Sequence, residues 1–432
     1  MWRLCSPPDR LATDMTETGS SASGGRLAHR ASGLVTSGFI LQGRAVGPDC
    51  ERVHPDFEDA NFVNHRKAYQ FISQWVADKV VLDMECGTGY GTAILAELAK
   101  HATGIDYSDI GENMKLKQLI FGMVTFAPGM YPLLAKGTGG TDSARYCYSV
   151  WLRHLVMAQK NGLNTHPKTV AEIGPGDSIG IGLAALISGC DEYFAFDVVK
   201  HADIGRNLAI FEELVTLFKN RTPIPDHNEW PEVDPRLEDY RFPAKILDDV
   251  RLNTALESSR IDEIRNSVRD FQRKDSIISY EVPWYEANVL KKESIDMIYS
   301  QAVLEHVDDL RNTYAAMYSW LKPAGYISHA IDFKCHGTAD EWNGHWLYSD
   351  FFWKLMRGKR PYLLNREPYS THIRLMKSEG FRVICDNKTT SESKYTVDQL
   401  ASRFKCISEE DLVTSRTFVQ GVKNFSTTER AA

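Results

Sequence analysis

The residues best suited to chemistry are two acids and two glycines placed where one strand turns into a helix and where the next strand stops. Val170-Ala-Glu-Ile-Gly-Pro-Gly-Asp-Ser-Ile-Gly180 begins as an apolar, β-branched run, stops at Glu172 and turns over Gly174 and Gly176. A helix is predicted next, and the following apolar strand, Phe194-Ala-Phe-Asp197, ends in an acid. Strand, glycine turn, helix and strand form the opening of a nucleotide-binding α/β sheet. Glycines let the backbone pass close to a ligand, and Asp197 stands where a carboxylate accepts both ribose hydroxyls. Gly180 comes one residue late for a dinucleotide fingerprint, and Asp177 at the helix start repels the pyrophosphate such a helix would hold. With Glu172 just before the turn, the loop suits a ligand with positive charge and no phosphate. A helix cap and a tight turn with no ligand would use the same residues.

S-adenosylmethionine, with its sulfonium and ammonium, is such a ligand. The spacing of Glu172, Gly174 and Gly176 resembles the first motif of class I S-adenosylmethionine-dependent methyltransferases. A second segment extends the resemblance. Ser294-Ile-Asp-Met-Ile-Tyr-Ser-Gln-Ala-Val-Leu-Glu-His-Val-Asp308 predicts a short strand running into a helix over 310–320, opened by Asp308 and Asp309, where negative charge favours the N-terminus. Leu321-Lys-Pro-Ala-Gly325 is expected to end that helix, and residues 326–333 read as a strand. This pair is similar to the family's fourth and fifth strands. The resemblance implies that Ser300 and Gln301 line the methionine end of the cofactor. It also implies that Trp284, past a third strand at 277–282, borders the adenine and either stacks on it or serves the core. His306 is read as a capping or packing histidine.

Beyond the fifth strand, where ligands bind in open α/β sheets, histidines, tryptophans and Asn/Arg pairs concentrate over residues 329–366. This stretch resembles bacterial methyltransferases associated with surface polysaccharide and glycan synthesis. The implied chemistry is methyl transfer to an oxygen or nitrogen of a small-molecule or glycan-precursor acceptor, which needs positioning and a base. His336 is the candidate base, because imidazole titrates near the working pH, and Asp332 is placed to orient it. Packing or loop-capping is the other role for both. Asp332, His336 and His345 are also a potential divalent-ion set, but their spacing is not diagnostic and no metal is assigned. The basic stretch 354–366 points to an anionic acceptor or to a solvated helix face. Two other function classes share the sheet. One is a non-catalytic S-adenosylmethionine-binding protein, against which the polar loop speaks. The other is an NAD-dependent oxidoreductase, against which Gly180 and Asp177 speak.

The elements that must position these residues are those of an α/β fold. The resemblance implies a class I methyltransferase Rossmann-like, mostly parallel seven-stranded sheet with helices on both faces, over residues 111–425, with insertions at 221–275 and 334–372. Strands near 380–385 and 417–422 would close it as an antiparallel pair. A helix over 115–130 leads in. A second, over 145–161, precedes the first strand, and its Tyr148 or Arg145 either touches the cofactor or, for Tyr148, packs in the core. Residues 54–110 hold a second glycine loop, Lys79-Val-Val-Leu-Asp-Met-Glu-Cys-Gly-Thr-Gly-Tyr-Gly91, with acids at Asp83 and Asp106. There Glu85 replaces a family glycine, and two strands cannot bury both sheet faces, so a vestigial half-domain without a ligand is expected. Residues 1–53 read as a flexible segment and 426–432 as a tail. A net charge of −7 does not imply nucleic-acid binding. Eight cysteines without a Cys-x-x-Cys pair speak against a zinc or disulfide framework and fit a reducing compartment. No signal-peptide pattern and no transmembrane segment are read, so a cytoplasmic location is expected. The oligomeric state and the acceptor stay open.

Overall fold

The computed structural model describes residues 60–74, 76–84, 90–105, 115–126, 141–201, 203–284, 287–360 and 363–424. Contacts divide the chain into two units, residues 1–114 and 115–432. In the first unit lie α1 (Ala60–Ser73), β1 (Val80–Met84), α2 (Tyr90–Ala96) and β2 (His101–Ile105). β1 and β2 pair in parallel, from Val80 opposite His101 to Met84 opposite Ile105. Asp83 is buried and accepts from the Tyr69 hydroxyl at 2.9 Å and Thr92 Oγ1 at 2.7 Å. Val76, Leu95 and Ala102 form a small core. Glu85 and Asp106 lie outside the described residues.

The second unit begins with α3 (Leu116–Val124), α4 (Ala144–Lys160), β3 (Thr169–Ile173), α5 (Gly180–Ile187), β4 (Glu192–Phe196) and α6 (Ile204–Lys219). It continues with α7 (Asp249–Ala255), α8 (Ser258–Arg269), β5 (Ile278–Glu281), β6 (Ile295–Gln301), α9 (Leu310–Trp320) and β7 (Leu321–Asp332). It ends with α10 (Asp350–Arg357), α11 (Tyr369–Ser378), β8 (Phe381–Thr390), α12 (Glu409–Val413) and β9 (Thr414–Lys423). One seven-stranded sheet runs β5-β4-β3-β6-β7-β9-β8. The first five strands are parallel, and β9 is antiparallel to both β7 and β8. This is the mostly parallel α/β sheet expected from the sequence.

Alternation along the strands builds two apolar layers. Val170, Tyr193, Ala195, Met297, Tyr299 and Tyr326 join the layer packed under α4, α5 and α6. Ala171, Ile173, Phe196, Ile298 and Ile327 join the layer under α9 and α11. The start of α9 is capped by Asp309, whose Oδ1 accepts from the Asn312 N–H at 3.1 Å.

Three expectations change. Helix α9 ends at Trp320 as expected, but the strand after it starts earlier than 326: β7 begins at Leu321, opposite Ile295, and an irregularity absorbs residues 322–325 before Tyr326 meets Met297. Helix α3 is shorter than 115–130 and packs on α10, where Gly122 lets the two backbones meet. Arg145 pairs with Glu229 of the 221–275 insertion, whereas Tyr148 packs in the core, one of the two roles given for it, with its hydroxyl donating to Thr222 O at 2.6 Å. Among the described residues no helix is long and apolar enough to cross a membrane.

Candidate functional site

The site is built from the carboxyl ends of β3, β4, β6 and β7. Gly174 leaves β3 with φ +68°, and its N–H donates to Phe196 O at 2.8 Å. A Cβ there would lie 2.5 Å from Val303 Cγ1, so the close approach that demands glycine is to the segment after β6. Gly176 also has a positive φ, and its N–H points at Asp197 Oδ2 at 3.4 Å. Asp197 Oδ1 accepts from Val198 N–H at 2.7 Å and Val199 N–H at 3.3 Å. Burial raises the Asp197 carboxyl above its ordinary range, and those backbone donors oppose the rise. Oδ2, held only by the long Gly176 contact, keeps acceptor capacity for a hydroxyl. Trp284 donates its backbone N–H to Asp197 O at 3.1 Å, and its half-buried indole lies 5.6 Å from Phe196 and 5.5 Å from Trp320.

Glu172 is placed differently from the expectation. Its carboxyl is 1% exposed and accepts from the Tyr193 hydroxyl at 2.5 Å and the Tyr299 hydroxyl at 3.1 Å. It ties β3 to β4 and β6 inside the sheet instead of facing a ligand across the loop. The Tyr193 ring fits only because position 182 is glycine, where a Cβ would sit 2.0 Å from it. Burial pushes the carboxyl up to about 7, against the opposing tyrosine hydrogen bonds. The folded state therefore holds this proton more tightly than the unfolded chain, whose carboxyl titrates near 4.5. The resulting stabilisation is complete below about pH 4.5 and is lost as pH rises through 7. Glu172→Gln should remove that loss, so the variant's urea-unfolding stability relative to the wild type should rise by up to about 3 kcal/mol between pH 5 and 8. Equal slopes in the two proteins would refute the assignment.

Ser300 is fully buried, its Oγ 2.8 Å from His329 Nδ1, so it points into the core layer and lines no cleft. Gln301 ends β6 half-buried, with Nε2 reaching Asp234 O at 3.5 Å and Oε1 without a hydrogen-bond partner.

Asp332 ends β7, and its Oδ1 accepts from the Lys334 N–H at 2.9 Å. Its Oδ2 lies 3.6 Å from His336 Nε2. Burial pushes the Asp332 carboxyl up, but His336 and Lys334 outweigh that and hold it below its usual range. His336 is one-third exposed and takes φ +47°, an uncommon conformation for a residue with a side chain. Across from it, the 3₁₀ turn Leu304–His306 places the His306 ring 5.1 Å from the His336 ring. Glu305 beside it is buried, and desolvation first, then the Asp332 charge, drives its carboxyl well above the usual range. Asn365 clamps this turn. Its N–H donates to Glu305 O at 2.7 Å, and Nδ2 donates to Leu304 O and Val307 O at 2.8 Å each.

Sequence spacing groups His345 with Asp332 and His336 and gives His306 a capping or packing role. The structure puts Glu305 and His306 against His336, while His345 is buried beside Trp346 and held neutral, its pKa pushed down to about 3 by desolvation. The signal was present: an adjacent Glu-His pair just past one strand and a histidine just past its neighbour. The basic stretch 354–366 also loses its appeal as an anion site. Arg357 makes a bidentate pair with Asp308, Arg360 donates to Met356 O and covers Phe121, and Arg366 is buried against Asp350.

Residues 62–388 match the family described as a methyltransferase domain, a span that takes in both glycine loops. No curated protein matches the chain. Among solved structures, phosphoethanolamine N-methyltransferase 2 of Haemonchus contortus in complex with S-adenosyl-L-methionine is 15% identical. That match covers 64% of this chain and 53% of that one, with a TM-score of 0.32, so the chain spans about half of that protein's length. An S-adenosylmethionine-dependent methyltransferase from Mesorhizobium loti is 14% identical over 62% of this chain and 97% of that one, at TM-score 0.31. A sarcosine dimethylglycine methyltransferase homologue from Galdieria sulphuraria is 10% identical over 63% and 84%, at 0.33. With two-thirds or more of the sequence inside the matched span and the parallel sheet in place, the chain belongs to the methyltransferase-domain family.

Proposed function

We propose that the protein transfers a methyl group from S-adenosylmethionine to an oxygen or nitrogen of a small-molecule or glycan-precursor acceptor. The observation that carries the cofactor reading is Asp197 at the tip of β4, with one carboxylate oxygen fixed by Val198 and Val199 and the other left for a hydroxyl pair. When bound, the cofactor supplies a methyl group on a sulfonium centre. Asp197 accepts the ribose hydroxyls, Trp284 borders the adenine, the Gly174–Gly176 turn passes beneath, and Gln301 stands toward the methionine end. Glu172 supports the turn from within the sheet. At the acceptor end His336, beside Asp332, supplies a basic lone pair to the group being methylated.

In this reading the first unit carries no cofactor, because both Asp83 oxygens are taken by Tyr69 and Thr92. Calorimetry on the full chain should therefore give one S-adenosylmethionine site, and Asp197→Ala should weaken it by about 1–3 kcal/mol. Unchanged affinity in the variant, or tight nicotinamide dinucleotide binding with none of S-adenosylmethionine, would sink the reading.

A further inference from the structure

The corner beyond β6 and β7 holds one group that a proton acceptor alone does not explain. Glu305 is buried, and neither of its carboxylate oxygens has a hydrogen-bond partner. An acid stripped of water, with no side-chain donor and only the backbone N–H groups of Glu305 and Asp332 near it without a well-formed hydrogen bond, is costly, and an ion is a recognised way to satisfy it. Ligand atoms of Glu305, His306 and His336 all lie within 4.8 Å of one another. Side-chain shifts of about an ångström bring such a trio to the roughly 2.1 Å bonds of a metal centre. We propose that Glu305, His306 and His336 bind a divalent first-row transition ion, with Asp332 supporting His336 from behind.

The donor chemistry selects the ion. Two imidazoles and one carboxylate suit Zn²⁺, Mn²⁺ or Fe²⁺, whereas Mg²⁺ and Ca²⁺ prefer oxygen. Three protein ligands leave a coordination position open, the pattern of ions that meet a substrate. Asp332 beside His336 Nε2 gives the carboxylate–histidine–metal arrangement, in which the other ring nitrogen is the ligand. The ligands come from two separate strand ends, and Asn365, from a third segment, fixes the turn that carries two of them. The proposal rests on the reading of this corner as the acceptor end. An imidazole that ligates cannot also take a proton, so in the loaded protein the ion, not the ring, meets the acceptor atom.

The test uses the full chain after chelator treatment, titrated calorimetrically with Zn²⁺ or Mn²⁺ alone and, separately, with S-adenosylmethionine. One ion per chain is expected, with binding roughly 100-fold weaker in Glu305→Gln and in His336→Ala, since loss of even an outer partner weakens metal sites by 10–100-fold. Retained S-adenosylmethionine affinity certifies that each variant is folded. Should Glu305→Gln fail that check, the half-exposed His306 and one-third exposed His336 provide alanine variants that disturb no core packing. No ion uptake by the wild type, or uptake unchanged in folded variants, overturns the site. S-adenosylmethionine binding without ion uptake refutes the ion site alone, whereas ion uptake without S-adenosylmethionine binding refutes the cofactor reading alone.

Discussion

Acidification below pH 6.5 is expected to lower the protein's stability by roughly 3 kcal/mol per pH unit. Four histidines are buried and neutral: His154 on α4, His329 on β7, His345 after β7 and His372 on α11. Burial is the first cause in each case, and each is pushed down to about 3. Three are hydrogen-bonded inside the sheet layers, His154 to Ser328 at 2.7 Å, His329 to Ser300 at 2.8 Å and His372 to the Tyr314 hydroxyl at 3.1 Å. In the unfolded chain all four charge near pH 6.5. Their stabilisation is therefore present above that pH and is lost as pH falls toward the folded value. Glu172 and, in the ion-free protein, Glu305 oppose this, because the folded state keeps their protons and the unfolded chain does not. Four protons taken up against two leaves a net of about two, which sets the slope. By pH 4.5 the loss is about 6 kcal/mol, comparable with the 5–15 kcal/mol that holds a typical domain folded. Urea melts at several pH values measure this directly. His372→Gln, which keeps a hydrogen-bonding side chain and lies away from the site, should flatten the slope by about 1.4 kcal/mol per unit. A flat profile between pH 6.5 and 4.5 would show that these histidines are not buried neutral.

The order of strands and the main turns were legible because they are local and periodic. Helix α9 was read to its terminal residues, since Asp309 is a capping side chain and the apolar spacing behind it is helical. The direction of Glu172 was legible too, from strand alternation: it shares a face with Val170, two residues earlier, and that face goes under α4 and α5. Ser300 follows the same logic with Ile298 and so faces the α9 layer. The glycine loop suggests a ligand for the acid at the end of β3, whereas the pleat decides its orientation. The end of α9 at Leu321–Gly325 is legible, but the early start of β7 is not, because Pro and Gly usually stop an element, yet an irregularity in the pairing with β6 absorbs them. The burial of Glu305 had no local signal. It depends on Asn365 and the 334–372 segment folding back over the turn after β6, a contact 60 residues away in the chain.

His336→Ala is expected to lower turnover about 100-fold or more while leaving S-adenosylmethionine affinity nearly unchanged. The split follows from position. The cofactor groups lie at the ends of β3 and β4, around Gly174, Gly176 and Asp197, while His336 lies four residues past Asp332 at the end of β7. His336 is one-third exposed, so its removal opens no core cavity, and a loss of activity cannot be charged to unfolding. Its unusual positive φ means that the loop pays a conformational strain to aim this ring, and alanine would adopt the same backbone no more easily. What alanine lacks is the imidazole lone pair. That lone pair is needed whether the ring takes the acceptor's proton or holds an ion against the acceptor, and the amide of asparagine supplies neither. His336→Asn should therefore be nearly as impaired as His336→Ala, although it retains much of the shape. Asp332→Asn should fall between these variants and the wild type, because it leaves the ring in place and removes only the charge beside it. Single-turnover rates at saturating cofactor separate this from any effect on binding. Wild-type turnover in His336→Asn would mean that positioning alone carries the transfer, and both roles for the ring would have to be abandoned.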